Sequence, residues 1–166
     1  MSRYSNEWSD LTEEQKNIIL SHQTSFPVKV GAIAKAFGIT VKRATLKPGI
    51  SGHIIENDNG VMIKINRHDV KERQRFTLAH ELAHYLLHRD ELRNGIEDTM
   101  LYRSTLSDSL EIQANKLAAD IVLPFSLIEQ EMFAPDTRLE AKIERIACLA
   151  KISIPAVQIR LKHSGF

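Results

Sequence analysis

In His80-Glu81-Leu82-Ala83-His84, two imidazoles stand four residues apart with a carboxylate between them, the spacing of a metal-assisted hydrolase. On a helix, positions 80 and 84 project from one face with Cβ atoms about 6 Å apart. Two ring nitrogens then reach one ion at about 2.0–2.1 Å each. Glu81 lies beside the ion rather than aimed at it, placed to take a proton from the water the metal activates. At this chain's usage of 7 histidines, a chance match has a probability of roughly 2%. The plain alternative, a surface helix with scattered histidines, accounts poorly for a stripe set among Leu78, Leu82 and Leu86, where uncompensated imidazoles cost free energy.

A tetrahedral zinc site needs a third protein ligand and one open position. A metzincin pattern would place Gly at 87 and His at 90, but Leu87 and Asp90 stand there. His88 is two turns beyond His80, about 12 Å along the axis, too far to share one ion with both other histidines. It reads as a histidine that packs against or supports the ligands. A later helix offers a carboxylate: Glu111, Ala114, Asn115 and Ala118 share one face, and the two alanines permit close approach to the histidine helix. Asp120 is half a rotation away from Glu111. Asp108 is better explained as an N-cap, but spacing alone leaves both Glu111 and Asp108 open as the third ligand.

These side chains must be positioned by a small α+β domain. Thr12-Glu13-Glu14-Gln15 reads as a capping box opening a helix towards His22. A second helix is expected from Val28 to Phe37, stopped by Gly38, and then a strand from Ile39 to Lys47. His53–Glu56 and Val61–Ile65 flank Asn57-Asp58-Asn59-Gly60, a hairpin signal because Asn-Gly tolerates positive φ. Asp69-Val70-Lys71-Glu72 reads as a second capping box, opening the metal-binding helix from Val70 to His88. Residues 90–105 are expected to form a loop. Helices follow over Ser109–Val122 (capped by Ser107 or Asp108, stopped by Pro124), Thr137–Ala150 and Pro155–His163. The expected architecture is a small antiparallel sheet with a helix bundle, residues 1–26 forming a helical extension to a domain over 27–166.

Composition narrows the function classes. The 166 residues are 43% hydrophobic and 26% charged, which suits a globular domain. With 22 basic against 21 acidic side chains the net charge is +1, so no strong field draws in nucleic acid or an anionic membrane. Cys148 is the only cysteine, which excludes an internal disulfide and a thiolate cluster and fits a reducing compartment. The first residues lack an apolar h-region, and the apolar runs are too short to span a bilayer. A cytoplasmic protein is expected. Ile33–Thr40 and Ile146–Arg160 imitate DNA-binding helix pairs, but neither has a dense basic recognition face. Cys148 lies in an apolar stripe with no adjacent base, which sets it aside as a nucleophile.

Arg73–His88, with its His80-Glu81-Leu82-Ala83-His84 core, closely resembles the main motif of the ImmA/IrrE family of metallopeptidases. Glu111-Ile112-Gln113-Ala114-Asn115, Ala118-Ala119 and Leu123-Pro124 resemble that family's second motif, which supplies the third ligand. The likeness extends from Pro27-Val28 through Gly38-Ile39 and Ser51-Gly52 to Arg160-Leu161. Ala83 stands where the family often has Gly. The resemblance implies a zincin-like fold and His80, His84 and Glu111 as zinc ligands, with Glu81 as catalytic base. Manganese, iron or cobalt would also suit the ligand set in vitro. It further implies cleavage of an Xre-type helix-turn-helix repressor, or pairing with an Xre-type antitoxin in which the chain acts as a toxin or binding module. A further donor to the reacting oxygen is desirable, with Tyr102 and His88 as candidates.

Overall fold

The computed structural model describes residues 3–99, 108–135 and 138–166. Helices α1 (Glu13–Ser21) and α2 (Val30–Ala36) precede strands β1 (Thr40–Ala44), β2 (Ile50–Asn57) and β3 (Gly60–Asn66). Helix α3 (Lys71–Leu87), strand β4 (Ile96–Thr99) and helices α4 (Asp108–Val122), α5 (Phe125–Met132), α6 (Leu139–Ala150) and α7 (Ile154–His163) follow. The domain is α+β, as expected.

Local chemistry explains most element ends. Thr12 and Gln15 close the reciprocal capping box at α1. Ser153 accepts from the Ala156 amide at the start of α7. At α2 the helix begins at Val30, two residues later than the pattern suggests. The second capping box does not form: Val70 is the N-cap of α3 and makes no side-chain cap bond. Instead the Gln74 side chain donates back to the Asp69 and Arg67 carbonyls at 2.8 and 3.2 Å. Arg75 donates to the Val28 carbonyl at 2.6 Å. Together these bonds fix the entry of α3 against the rest of the domain.

The sheet order is β1-β3-β2-β4. The β2–β3 hairpin closes with Asn57 opposite Gly60, so Asp58 and Asn59 form the loop and Gly60, rather than an Asn-Gly central pair, takes the positive φ. The sheet is mixed rather than wholly antiparallel, because β1 runs parallel to β3 from Thr40 opposite Met62 to Ala44 opposite Asn66. The hairpin signal sets only the β2–β3 pairing and carries no information about which strand β1 joins. Residues 90–105 are not simply a loop: a short 3-10 turn (Arg89–Asn94) leads into β4, which adds antiparallel to β2. Residues 100–107 lie outside the described residues. Pro124 ends α4 but also serves as N-cap of α5, a separate helix the periodicity did not separate.

Ile54 and Ile63 stand opposite one another on one sheet face and are fully buried. Helix α3 packs on that face and, on its other side, against α4. Ala79, Leu82 and Ala83 on α3 and Ala114, Leu117 and Ala118 on α4 are all inaccessible to solvent. Small side chains let two helix axes come close, and here that closeness brings the polar groups of both helices together inside the core.

Candidate metal centre

His80, Glu81 and His84 lie on the buried face of α3, and Glu111 sits in the first turn of α4. All four are buried, Glu81 and His84 completely. His80 Nε2 and His84 Nε2 are 3.2 Å apart. Glu111 straddles the pair, with Oε2 at 3.1 Å from His80 Nε2 and Oε1 at 3.3 Å from His84 Nε2. Four ligands placed tetrahedrally about 2.0–2.1 Å from a zinc ion are separated by edges of about 3.3 Å. The two ring nitrogens therefore already stand at the edge length of such a tetrahedron, and the Glu111 carboxylate, with one oxygen opposite each nitrogen, completes a donor face.

The surroundings turn lone pairs towards that face. His80 Nδ1–H donates to Asn115 Oδ1 at 2.8 Å, so in the neutral ring Nε2 carries the lone pair. His84 Nδ1 lies 2.9 Å from His88 Nδ1, and His88 Nε2 lies 2.9 Å from Gln113 Oε1. Burial pushes the His88 imidazole below its usual pKa, while the bond to Gln113 works the other way. Acceptors converging on one buried point are costly without a cation between them, and two nitrogens with one carboxylate suit zinc. The residues fit the metal.

Glu81 does not join the three donors. It points to the sheet, where Gly52 of β2 makes room for it: a Cβ at position 52 would lie 2.9 Å from Glu81 Oε1 and 2.6 Å from Thr77 Cγ2. Gly52 also follows an irregularity in the β2–β4 pairing, where Ile50 opposes Thr99 and Gly52 opposes Asp98. Ser51 is the extra residue of that bulge, a device that re-aims a strand beside a site.

Among the described residues, the histidine, cysteine and acidic groups placed to hold a metal are His80, His84 and Glu111. Asp108, the other carboxylate left open by spacing, is an exposed first residue of α4 and stands outside this group. Asp120 faces elsewhere and pairs with Arg160 at 2.9 Å. His88 is the C-cap of α3 and touches His84 rather than the donor face. Tyr102 lies outside the described residues. Sequence reasoning missed Gly52 as a site residue and the separate duties of Gln113 and Asn115. The Ser51-Gly52 pair was visible, but its contact with Glu81 arises only when α3 docks on the sheet.

Comparisons agree with this geometry. Residues 34–162 match the family model described as the IrrE N-terminal-like domain of peptidase family M78. The chain is 38% identical over 89 residues to the radiation response metalloprotease IrrE of Deinococcus radiodurans, covering 52% of this chain and 27% of that protein. It is 36% identical over 95 residues to the protein of the same name from Deinococcus deserti, covering 55% of this chain and 34% of that one. The chain thus matches only about a third or less of the length of these relatives. Since the matched region contains the whole donor face and most of the fold around it, the chain belongs to the IrrE N-terminal-like family of metallopeptidase domains.

Proposed function

We propose that this chain is a zinc-dependent endopeptidase that cuts a regulatory protein, most specifically an Xre-type helix-turn-helix repressor. The observation that carries the reading is the buried pair of imidazole nitrogens 3.2 Å apart, bridged by the two oxygens of Glu111, with a fourth buried polar group, Glu81, next to His80 in the chain. His80, His84 and Glu111 would hold the zinc. Bound there, the metal supplies Lewis-acid polarisation of a peptide carbonyl and makes a water more acidic. Glu81 takes the proton of the attacking water and returns it to the leaving amine. Gly52 keeps the space in which that carboxylate sits. The bond from His80 to Asn115 holds one ligand ring in its required tautomer.

The substrate class rests on the family resemblance, and we take residues 27–166 as the peptidase domain. No helix among the described residues is long and apolar enough to cross a membrane. With Cys148 as a free thiol, a reducing cytoplasm is the compartment we assign.

Glu81→Gln tests the reading. The amide keeps the shape but cannot take a proton, so metal content should stay near wild type while hydrolysis is lost. Wild type, the variant and chelated wild type are each mixed with an Xre-type repressor encoded nearby, and intact masses are measured. Cleavage that survives both Glu81→Gln and chelation would exclude this chemistry. A stable complex with no cleavage by the metal-loaded protein would instead favour a toxin or binding module neutralised by its partner.

A further inference from the structure

Three polar contacts run in series from the surface of α4 to the donor face: Gln113 Oε1 to His88 Nε2 at 2.9 Å, His88 Nδ1 to His84 Nδ1 at 2.9 Å, and His84 Nε2 onto the donor face. Two neutral imidazoles carry one N–H each, so only two proton arrangements satisfy both bonds. In one, the Gln113 amide donates to His88 Nε2, His88 Nδ1–H donates to His84 Nδ1, and His84 Nε2–H points at the donor face. That arrangement puts a proton where a metal ligand needs a lone pair. In the other, His88 Nε2–H donates to Gln113 Oε1, and His88 Nδ1 then accepts from His84 Nδ1–H. His84 Nε2 is left with its lone pair turned inward. The observed placement of Gln113 Oε1 against His88 is that of the second arrangement.

We propose that His88 and Gln113 are positioning residues that set the tautomer of His84 through this directed chain, and so prepare the donor face for its metal. The inference rests on the metal-centre reading above. It gives His88 a role the ligand geometry denies it: too far along α3 to touch the ion, it sits where it can decide which nitrogen of His84 does. It also explains why a buried imidazole cap ends α3, where an apolar residue would close the helix with less desolvation. The amide of Gln113 is the terminal acceptor and does for the His84–His88 branch what Asn115 does for His80.

The test measures zinc affinity by chelator competition in the full chain, alongside melting in chelator to confirm folding. His88→Leu should lose about 10- to 100-fold in affinity, the usual effect of removing a ligand's outer hydrogen-bond partner. His88→Asn places an acceptor near the former Nδ1 position and should recover part of that loss, which a purely space-filling role would not predict. Gln113→Leu should fall between wild type and His88→Leu. In zinc-loaded wild type, long-range nitrogen–proton NMR correlations should show His84 protonated at Nδ1 and His88 at Nε2. Equal affinity in wild type and His88→Leu, or His88 protonated at Nδ1, overturns the chain while leaving the metal centre standing. Wild type that binds no zinc overturns both.

Discussion

Helix α4 carries two buried carboxylates, Glu111 and Asp120, in opposite circumstances. Asp120 is answered by the chain itself. Arg160 pairs with it at 2.9 Å, the Ser5 amide donates to it at 3.1 Å, and the Ser5 hydroxyl adds a third contact. Burial pushes this carboxyl above its ordinary pKa, and the guanidinium and the Ser5 donors oppose the shift. Arg160 also donates to the Leu123 carbonyl at 3.0 Å, and Gln23 to the Asp120 and Ile121 carbonyls, so the cluster ties the N-terminal segment and α7 to the end of α4. Glu111, by contrast, meets two imidazoles whose other nitrogens are engaged with neighbouring side chains. The first cluster contains its own cation; the second is arranged around a place for one. Buried charge alone does not identify a site, and what distinguishes these two is whether complementary charge comes from within the chain.

The sharpest way to break this contrast is to remove each carboxylate in turn. Glu111→Ala should weaken zinc binding by more than about 100-fold, beyond the range for losing an outer partner. Asp120→Ala and Asp108→Ala should leave the affinity of the folded protein close to wild type, as competitive chelation would show. A larger loss in Asp108→Ala than in Glu111→Ala would move the ligand role to Asp108.

Stability should respond in the other sense. Asp120→Ala leaves Arg160 buried without its carboxylate and should cost about 3–5 kcal/mol in denaturant unfolding. Replacing both partners, Asp120→Leu with Arg160→Met, should recover much of that loss, since apolar residues often substitute for a buried pair without penalty. A double variant no better than Asp120→Ala would show that the ties to Ser5 and Leu123, not the ion pair, hold this end of α4.

A smaller effect is expected where the site depends on space. Gly52→Ala crowds Thr77 and Glu81 and should cost about 1–3 kcal/mol. Adding Thr77→Ser removes the methyl in the tighter contact and should restore melting temperature, while hydrolysis stays low because Glu81 remains displaced. Full activity in either variant would show that Glu81 does not need its observed position.

Much of this candidate site was legible because the residues placed to hold a metal sit at helical spacing. His80 and His84 declare themselves within one turn, and Glu111 with Ala114 and Ala118 declares a face able to come close. Asp120 was correctly placed away from that face by rotation alone. What remained hidden depends on contacts between elements distant in sequence. Strand β4 escaped because Ile96–Thr99 is too short and polar to show alternation. The parallel pairing of β1 has no local signature. The missing capping box at Asp69 reflects a helix that starts one residue later than the pattern suggests, with Val70 at the N-cap and Asp69 outside it. Gly52 resembles an ordinary hairpin glycine until α3 is laid across it.

One helix, α4, holds a carboxylate of the donor face, the outer partner of His80 and the partner of His88: Glu111, Asn115 and Gln113 meet His80, His84 and His88 only in a single alignment of the two helices. A shift of one residue turns a helix by about 100° and advances it about 1.5 Å. That displacement is enough to misdirect the carboxylate and both amides at once. The pair of helices therefore behaves as a lock with several pins cut on one key. Insertions or deletions within 111–115 should be far less forgiving than substitutions of the same residues, since a substitution lifts one pin and a register slip lifts them all.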